Sequence, residues 1–253
     1  MCILTFLRPG AAPDVEALRG GAAANPHGHG YAVLTPERII VGRGMDPEAV
    51  LGEFTEARSR HLDGPALFHS RLATHGTRAP DNCHPFAVGG DGRTVLAHNG
   101  ILPDAVHPGP GDQRSDSRIF AEDFLPRSPF GSLDSWAGRD RLEAWLGGDK
   151  MVLLTLDPAY AHRAYIFNEQ RGHWDLERAR WYSNHSYRDF DSYYDAHGCY
   201  DCESCGEQAY LDDGPHCGYC GYCLDCRQRF PRCRCPELDG TDRYADLFDL
   251  EYT

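Results

Sequence analysis

Short runs of β-branched and aromatic residues, separated by Gly, Pro, Asp and Asn, dominate the first 185 positions of the chain. Runs bounded in this way are typical of strands in a compact sheet. The predicted strands cover residues 31–34, 38–41, 66–71, 94–98, 151–156 and 164–167. No internal repeat is present in this part of the chain.

Three segments instead place apolar residues at helical spacing, and each follows a polar capping residue. The capping residues are Asp46, Ser115 and Asp134. The apolar positions that follow them are Val50, Leu51, Phe54 and Ala57, then Ile119, Phe120 and Phe124, then Trp136, Leu142, Trp145 and Leu146. Residues 103–114 are too rich in Pro and Gly for regular structure and predict a loop. Together the patterns predict a mixed α+β domain.

Cysteine usage divides the chain. Nine of its 11 cysteines fall between Cys199 and Cys235, and the much longer preceding part has only Cys2 and Cys83. We therefore expect a body at residues 2–185, a linker at 186–198, a cysteine-rich module at 199–236 and an acidic tail at 237–253. A body of this size can bury a substantial core, and Cys83 is expected to be a small buried residue.

Charge and hydropathy exclude several classes of function. The formal net charge is −13, which disfavours nucleic acid and anionic lipid as partners. No apolar run approaches the ~18 residues needed to cross a bilayer, and the first seven residues lack the basic start of a secretory signal. We expect a cytoplasmic protein in which thiols stay reduced or bind metal.

The second residue carries the first candidate chemistry. Removal of Met1 would leave Cys2 with both a thiol and a free α-amine, whose reference pKa is roughly 8. Such an amine can act as the base for its own side chain, as in an N-terminal nucleophile.

Four further segments combine polar and glycine residues at strand ends or helix starts. They are residues 25–30 (NPHGHG), 70–76 (SRLATHG), 98–100 (HNG) and 115–117 (SDS). Side chains and backbone N–H groups can converge on a ligand at such positions. We expect them to belong to one site with Cys2.

With these five pieces in this order, the chain resembles the glutaminase domains of the class II glutamine amidotransferases, which are N-terminal nucleophile hydrolases. The resemblance runs from Cys2 to about Asn184. It implies a four-layer αββα sandwich with two antiparallel sheets face to face. It departs from the family at Ile3, where glycine is common, at Leu72, where tryptophan is frequent, and at His27, where many members have aspartate.

The resemblance also implies the catalytic roles. Cys2 would attack the side-chain amide of L-glutamine, and its own α-amine would handle the proton. Asn99, through its side chain, and Gly100, through its backbone N–H, would form the oxyanion hole. A thioester on Cys2 would release ammonia first, and water would then release glutamate.

The substrate-binding roles are implied in the same way. Arg71 would bind the α-carboxylate of glutamine and Asp116 its α-ammonium, while the backbone of Thr74, His75 and Gly76 would line the pocket. One cation, one anion and one oxyanion trap are what a zwitterion with a distant amide requires.

The cysteine-rich module has the spacing of metal ligands. Eight of its cysteines form close pairs that each suit one edge of a tetrahedral site. The pairs are Cys202/Cys205, Cys217/Cys220, Cys223/Cys226 and Cys233/Cys235. They suit two structural Zn²⁺ ions in a sequential or an interleaved arrangement, or one ion with spare thiols. Spacing does not choose among these, and Cys199 is left over.

The sequence thus predicts a glutaminase of the class II amidotransferase type that carries a zinc module. Because too little chain remains for an acceptor-synthesising domain, the ammonia would pass to a separate acceptor enzyme. Two alternatives remain open. One is a hydrolase of another γ-glutamyl amide that uses the same nucleophile, and the other is a non-catalytic zinc-containing adaptor. The glutaminase chemistry itself requires no cofactor.

Overall fold

The computed structural model describes residues 2–188 and, further along, residues 199–202, 204, 208–210, 222–223 and 227–228. The ten strands of the body are β1 (Ile3–Leu7), β2 (His29–Leu34), β3 (Ile39–Gly44), β4 (Ala66–Ser70), β5 (Phe86–Val88), β6 (Asp91–Asn99), β7 (Lys150–Thr155), β8 (Ala164–Phe167), β9 (His173–Asp175) and β10 (Arg180–Tyr182). The α-helices are α1 (Val15–Ala24), α2 (Pro47–Arg60), α3 (Asp116–Ile119) and α4 (Trp136–Leu146). A π-helical turn (Phe120–Phe124) and a 3₁₀ turn (Leu125–Arg127) continue α3, and 3₁₀ turns also lie at Pro80–Asn82, Asp104–Val106, Glu169–Arg171 and Leu176–Arg178.

The body contains two antiparallel sheets, as predicted. Six strands form the first sheet in the order β3-β2-β4-β1-β10-β9, and four form the second in the order β5-β6-β7-β8. Every paired strand in both sheets is antiparallel. In the C-terminal region, Cys199–Asp201 pairs antiparallel with Gln208–Tyr210.

Three apolar clusters show how the layers stack. One lies between the sheets and combines β1, β2, β4 and β10 of the first with β6, β7 and β8 of the second. A second cluster packs the outer face of the first sheet against α1 and α2. A third packs the outer face of the second sheet against α4 and the π-helical turn after α3. The layers therefore run helix, sheet, sheet, helix, and the interior of the sandwich is the main core.

Strand β1 lies at the centre of this arrangement. Leu4 and Phe6 point between the sheets, while Leu7 belongs to the cluster beneath α1 and α2. All five residues of β1 are buried, so the strand has no polar alternation. That continuity is why the periodicity of the sequence does not predict β1, although the strand directly follows Cys2.

The predicted capping of α2 and α3 is confirmed. Asp46 Oδ1 accepts hydrogen bonds from Glu48 N (3.0 Å) and Ala49 N (3.3 Å). Ser115 Oγ accepts from Arg118 N at 3.2 Å. Helix α2 then buries Val50, Leu51 and Phe54 at 3% exposure or less, each worth about 1.5–3 kcal/mol of transfer free energy.

The prediction for α4 is wrong at its start. Ser135, not Asp134, caps the helix, and its Oγ accepts from Gly138 N at 3.1 Å. Asp134 Oδ1 instead accepts from Ala161 N at 3.1 Å and from the Tyr165 hydroxyl. Trp136 is 53% exposed rather than inward-facing, because six residues at ~100° each place it about 240° around the helix from the buried Leu142.

Helix α1 is absent from the sequence-based prediction because Gly20 and Gly21 weaken its helical signal. The structure explains both glycines. A Cβ on Gly20 would lie 2.2 Å from the carbonyl oxygen of Tyr187, and one on Gly21 would lie 2.9 Å from Cγ2 of Ile3. The helix is thus held against β1 and against the first residues of the predicted linker. In the described part of the chain, no helix is long and apolar enough to span a membrane.

Candidate active site

Cys2 directly precedes β1, and the fold encloses its side chain. The residue is 8% exposed. Its Sγ accepts a hydrogen bond from Leu72 N at 3.3 Å and lies 3.6 Å from Leu72 O. Its carbonyl oxygen accepts from Asn184 Nδ2 at 2.7 Å. Burial raises the pKa of the thiol, against the opposing effect of the nearby Arg71 charge, so the neutral thiol is the resting form and a base must take its proton.

Asn99 and Gly100 end β6 in the second sheet. Asn99 is 2% exposed, and its Nδ2 lies 2.7 Å from the hydroxyl oxygen of Ser183. Its Oδ1 is buried and has no hydrogen-bond partner among the described residues. Gly100 has φ +147°, and an added Cβ would lie 1.9 Å from Cγ of Asp149. Only glycine allows this turn and this close approach of the Asp149 carboxylate.

Arg71 follows β4, which is next to β1 in the first sheet. It is 2% exposed. Its Nη1 donates to Thr77 O at 2.8 Å and its Nη2 donates to His75 O. No carboxylate in the described part of the chain forms an ion pair with it, and burial lowers the pKa of its guanidinium. A buried cation held only by carbonyls is prepared to accept an anion.

Asp116 is the buried anion of the candidate site. It occupies the first turn of α3 and is 4% exposed. Its Oδ2 accepts from Leu102 N at 2.9 Å, its Oδ1 lies 3.5 Å from the Ser117 hydroxyl, and His75 Nδ1 lies 4.0 Å away. Within the described residues, neither lysine nor arginine pairs with it. A buried carboxylate without a lysine or arginine partner favours a cationic ligand.

The loop from Leu72 to Thr77 forms the wall between these charges. Gly76 has φ +72°, and a Cβ there would lie 2.7 Å from Ser115 N, so glycine lets the loop contact the start of α3. Thr74 is exposed and His75 is partly buried. The His75 ring stacks on His107 at a centroid distance of 4.3 Å.

The structure brings the candidate groups of both sheets to one region. Leu72, beside Arg71, contacts the Cys2 thiol, and His75 contacts both Arg71 and Asp116. Ser183 joins the two sheets here, because its Oγ accepts from Leu4 N at 2.9 Å and also contacts Asn99. Thr74 lies on the exposed side of the same loop.

Three residues that connect these groups escape sequence reasoning: Asn82, Ser183 and Asn184. Asn82 Nδ2 donates to Thr77 O (3.2 Å) and Gln113 O (2.7 Å), and its Oδ1 accepts from Ser115 N (2.9 Å). It therefore fastens the loop after Arg71 to the start of α3. The one sequence signal for such residues is a short polar side chain directly beside an apolar run, which is too common to be diagnostic.

One group of side chains in the body has the composition of a metal site. His75, His107 and Asp116 each offer one ligand atom, and these atoms lie within 4.8 Å of one another. A cation there would occupy Asp116 and compete with a ligand ammonium.

Of the predicted zinc ligands, Cys202 and Cys223 fall among the described residues, and both are buried. Cys223 N donates to Gln228 O at 2.9 Å, and Arg227 N donates to Cys223 O at 2.9 Å, which closes a tight turn. Cys205, Cys217, Cys220, Cys226, Cys233 and Cys235 lie outside the described residues. The single-metal and two-metal arrangements therefore stay predictions.

Together, the fold and site define an α+β protein with a buried thiol near one buried cation and one buried anion. In sequence, the chain is similar to glutamine–fructose-6-phosphate aminotransferase (isomerizing) of Methanosarcina mazei, with 27% identity over 144 residues. That alignment covers 52% of this chain and 23% of the aminotransferase, so the chain spans less than a quarter of this curated relative. No protein-family model matches the chain.

Solved structures give weaker likenesses, each covering 72% of this chain. One is glutamine phosphoribosylpyrophosphate amidotransferase of B. subtilis with ADP and GMP, at 16% identity, a TM-score of 0.44 and 41% of that chain. Another is a glutamine aminotransferase class-II domain protein of Silicibacter pomeroyi, at 18% identity, a TM-score of 0.33 and 87% of that chain. An allosteric regulatory enzyme of purine biosynthesis matches at 19% identity, a TM-score of 0.39 and 41% coverage. At such TM-scores these likenesses carry no weight in assigning fold or function.

Proposed function

We propose that this protein is a glutaminase of the class II amidotransferase type, in which Cys2 hydrolyses the side-chain amide of L-glutamine. The observation that carries the proposal is a buried thiol beside Arg71 and Asp116, two buried charges that pair with no Asp, Glu, Lys or Arg among the described residues. Arg71 suits an α-carboxylate and Asp116 suits an α-ammonium, so an α-amino acid fits between them. The fold is then that of an N-terminal nucleophile hydrolase.

The proposed reaction assigns one step to each of these groups. Cys2 Sγ attacks the amide carbon, the α-amine of Cys2 takes the thiol proton, and the carbonyl oxygen becomes an oxyanion. Asn99 and Gly100 N–H stabilise that oxyanion, and such donors are worth about 2.7–4 kcal/mol each. The C–N bond breaks as the amine returns its proton to the leaving nitrogen, which departs as ammonia. Water then hydrolyses the thioester and releases glutamate.

The test begins with the amino terminus. Intact mass of the purified protein is expected to show loss of Met1, since a retained methionine would block the α-amine. Glutamate release from glutamine is then measured for the wild type, for Cys2→Ala and for Cys83→Ala. The second variant is a matched control, because Cys83 is the other buried thiol of the body, packed near Gly44 and Met45.

We expect Cys2→Ala to abolish glutamate release and Cys83→Ala to retain it. A glutamine analogue with an electrophilic ketone, 6-diazo-5-oxo-L-norleucine, is expected to label Cys2 alone. If the protein hydrolyses other γ-glutamyl amides and leaves glutamine intact, it is a hydrolase of a different substrate that uses the same nucleophile. Unchanged turnover in Cys2→Ala would contradict the mechanism.

We further propose that the ammonia passes to a separate acceptor enzyme. Support comes from the partial match to the archaeal glutamine–fructose-6-phosphate aminotransferase, whose name includes an acceptor for the amino group. Glutamate release is to be measured with and without the proteins encoded beside this one. A partner that raises the turnover and consumes the ammonia would support the proposal, whereas full uncoupled turnover that no partner alters would contradict it.

The cysteine-rich module is proposed to hold one or two structural Zn²⁺ ions. The spacing of the four cysteine pairs supports this, because each pair suits one edge of a tetrahedral thiolate site. Elemental analysis of the purified protein is expected to find zinc, and Cys202→Ser and Cys223→Ser are expected to release it. A metal-free protein with an intact, protease-resistant module would contradict the proposal.

A further inference from the structure

Asn99 has a hydrogen-bond environment that its predicted role in an oxyanion hole does not explain. Its side chain is almost fully buried, its Nδ2 faces the Ser183 hydroxyl, and its Oδ1 has no partner among the described residues. An oxyanion hole needs the opposite arrangement, with the NH₂ group free to donate to the substrate oxygen.

The hydrogen bonds of Ser183 favour that opposite arrangement. Its Oγ already accepts from Leu4 N at 2.9 Å. With the Asn99 nitrogen as a second donor, at 2.7 Å, the described residues offer the hydroxyl hydrogen no acceptor.

Rotation of the amide by half a turn removes this difficulty. The Ser183 hydroxyl then accepts one hydrogen bond from Leu4 N and donates one to Asn99 Oδ1, as a buried hydroxyl should. The amide nitrogen takes the buried position that has no protein partner. A buried donor left in this way is costly until an acceptor arrives, so it favours the oxygen that becomes negative in the transition state.

We propose that Ser183 is a positioning residue that, by donating to Asn99 Oδ1, turns the Asn99 amide nitrogen toward the reacting oxygen. The inference rests on the proposed glutaminase function. Ser183 does not touch the substrate and acts only through Asn99. Its neighbour Asn184 holds the Cys2 carbonyl oxygen at 2.7 Å, so one short segment after β10 positions the nucleophile and the oxyanion donor together.

Steady-state kinetics with glutamine test this role through Ser183→Ala, Ser183→Thr, Asn99→Ala and the double variant. Loss of one oxyanion donor costs about 10²–10³-fold in kcat, and we expect that loss for Asn99→Ala. Ser183→Ala is expected to lower kcat about 10- to 100-fold, because the donor is then present but unoriented. Its KM is expected to stay within about twofold, and Ser183→Thr, which keeps the hydroxyl, is expected to restore most of kcat.

The double variant separates positioning from structural support. If Ser183 acts only through Asn99, Ser183→Ala causes no further loss in the Asn99→Ala background. An equal loss in both backgrounds, or an unchanged kcat in Ser183→Ala, would overturn the proposal. Thr94→Val is the control: it removes a buried hydroxyl bonded to Thr155 at 2.7 Å, at the other end of β6, and is expected to leave kcat unchanged.

A neutron structure of the deuterium-exchanged wild-type protein decides the orientation without reference to turnover. Asn99 Oδ1 facing Ser183, with a deuterium on Ser183 Oγ between them, is the expected result. Asn99 Nδ2 facing Ser183 would overturn the proposal, even in a protein that hydrolyses glutamine. The expected orientation in a protein that does not hydrolyse glutamine would refute the proposed function and leave the role of Ser183 in orienting Asn99 standing.

Discussion

Substitution of Asp116 tests directly how this site would bind its substrate. The substitution Asp116→Asn keeps the shape of the side chain. The amide oxygen of the asparagine can still accept from Leu102 N, as Asp116 Oδ2 does at 2.9 Å. Only the negative charge is lost. Since Ser115 rather than Asp116 caps α3, we expect the variant to fold.

The magnitude follows from one charge-assisted hydrogen bond. Such a bond to a substrate ammonium contributes about 1.5–3 kcal/mol, which corresponds to a loss of about 10- to 150-fold in kcat/KM for glutamine. The loss should appear chiefly in KM, because the ammonium carries the same charge in the ground state and in the transition state.

The assay compares glutamine with glutaramate, which has the same amide and carboxylate but lacks the ammonium. The kcat/KM of the wild-type protein is expected to be about 10- to 150-fold lower for glutaramate than for glutamine. Asp116→Asn should have similar kcat/KM values for the two compounds. Asp134→Asn, remote from the site, is the control and should behave as the wild type. If Asp116→Asn weakens turnover of both compounds equally, Asp116 does not bind the ammonium and the reasoning fails.

Three further outcomes follow from the described contacts. Gly100→Ala should abolish turnover because its Cβ would overlap the Asp149 carboxylate. Gly90→Ala, with φ +77° and open space around it, should keep turnover and lower the free energy of unfolding, measured by chemical denaturation, by only about 1–2 kcal/mol. Arg58→Met should lower the free energy of unfolding by at least about 3 kcal/mol, because Arg58 is fully buried and donates to four backbone carbonyl groups; a loss below ~1 kcal/mol would refute this. Burial lowers the pKa of His69 from 6.5 to about 3, so the folded protein resists protonation there and loses stability as the pH falls below 6.5. The loss in the free energy of unfolding reaches about 2 kcal/mol at pH 5. In urea titrations, the free energy of unfolding of His69→Gln should therefore depend less steeply on pH than that of the wild type. The same slope in both proteins would contradict this prediction.

Local sequence rules predict the elements that depend on neighbouring residues. Helix α2 has its cap, its first-turn proline and its apolar spacing within one short segment, and it forms as predicted. Strand β8 is predicted with its observed bounds for the same reason. In contrast, the start of α4 shifts by one residue because Asp134 is taken by Tyr165 and Ala161, which are distant in sequence.

In the candidate site, too, some residues can be predicted from the sequence and others only from contacts between distant residues. Residue types at Cys2, Arg71, Asn99 and Asp116 and their order are visible in the chain, because chemistry restricts which side chains can serve. Ser183 carries no such mark. Its importance arises from hydrogen bonds to residues 179 and 84 positions away.

The sequence by itself therefore determined which reactive groups exist, where six of the ten strands lie, where α2 and α3 are capped, and that nine of the cysteines cluster after position 198. Tertiary structure alone decided that the backbone of the six-stranded sheet at Leu4 and the Asn99 amide of the four-stranded sheet meet at the Ser183 hydroxyl. The physical reason is that the stacking and register of two sheets depend on how dozens of side chains fill the space between them. Such packing is a property of the whole sandwich, and no short window of sequence contains it.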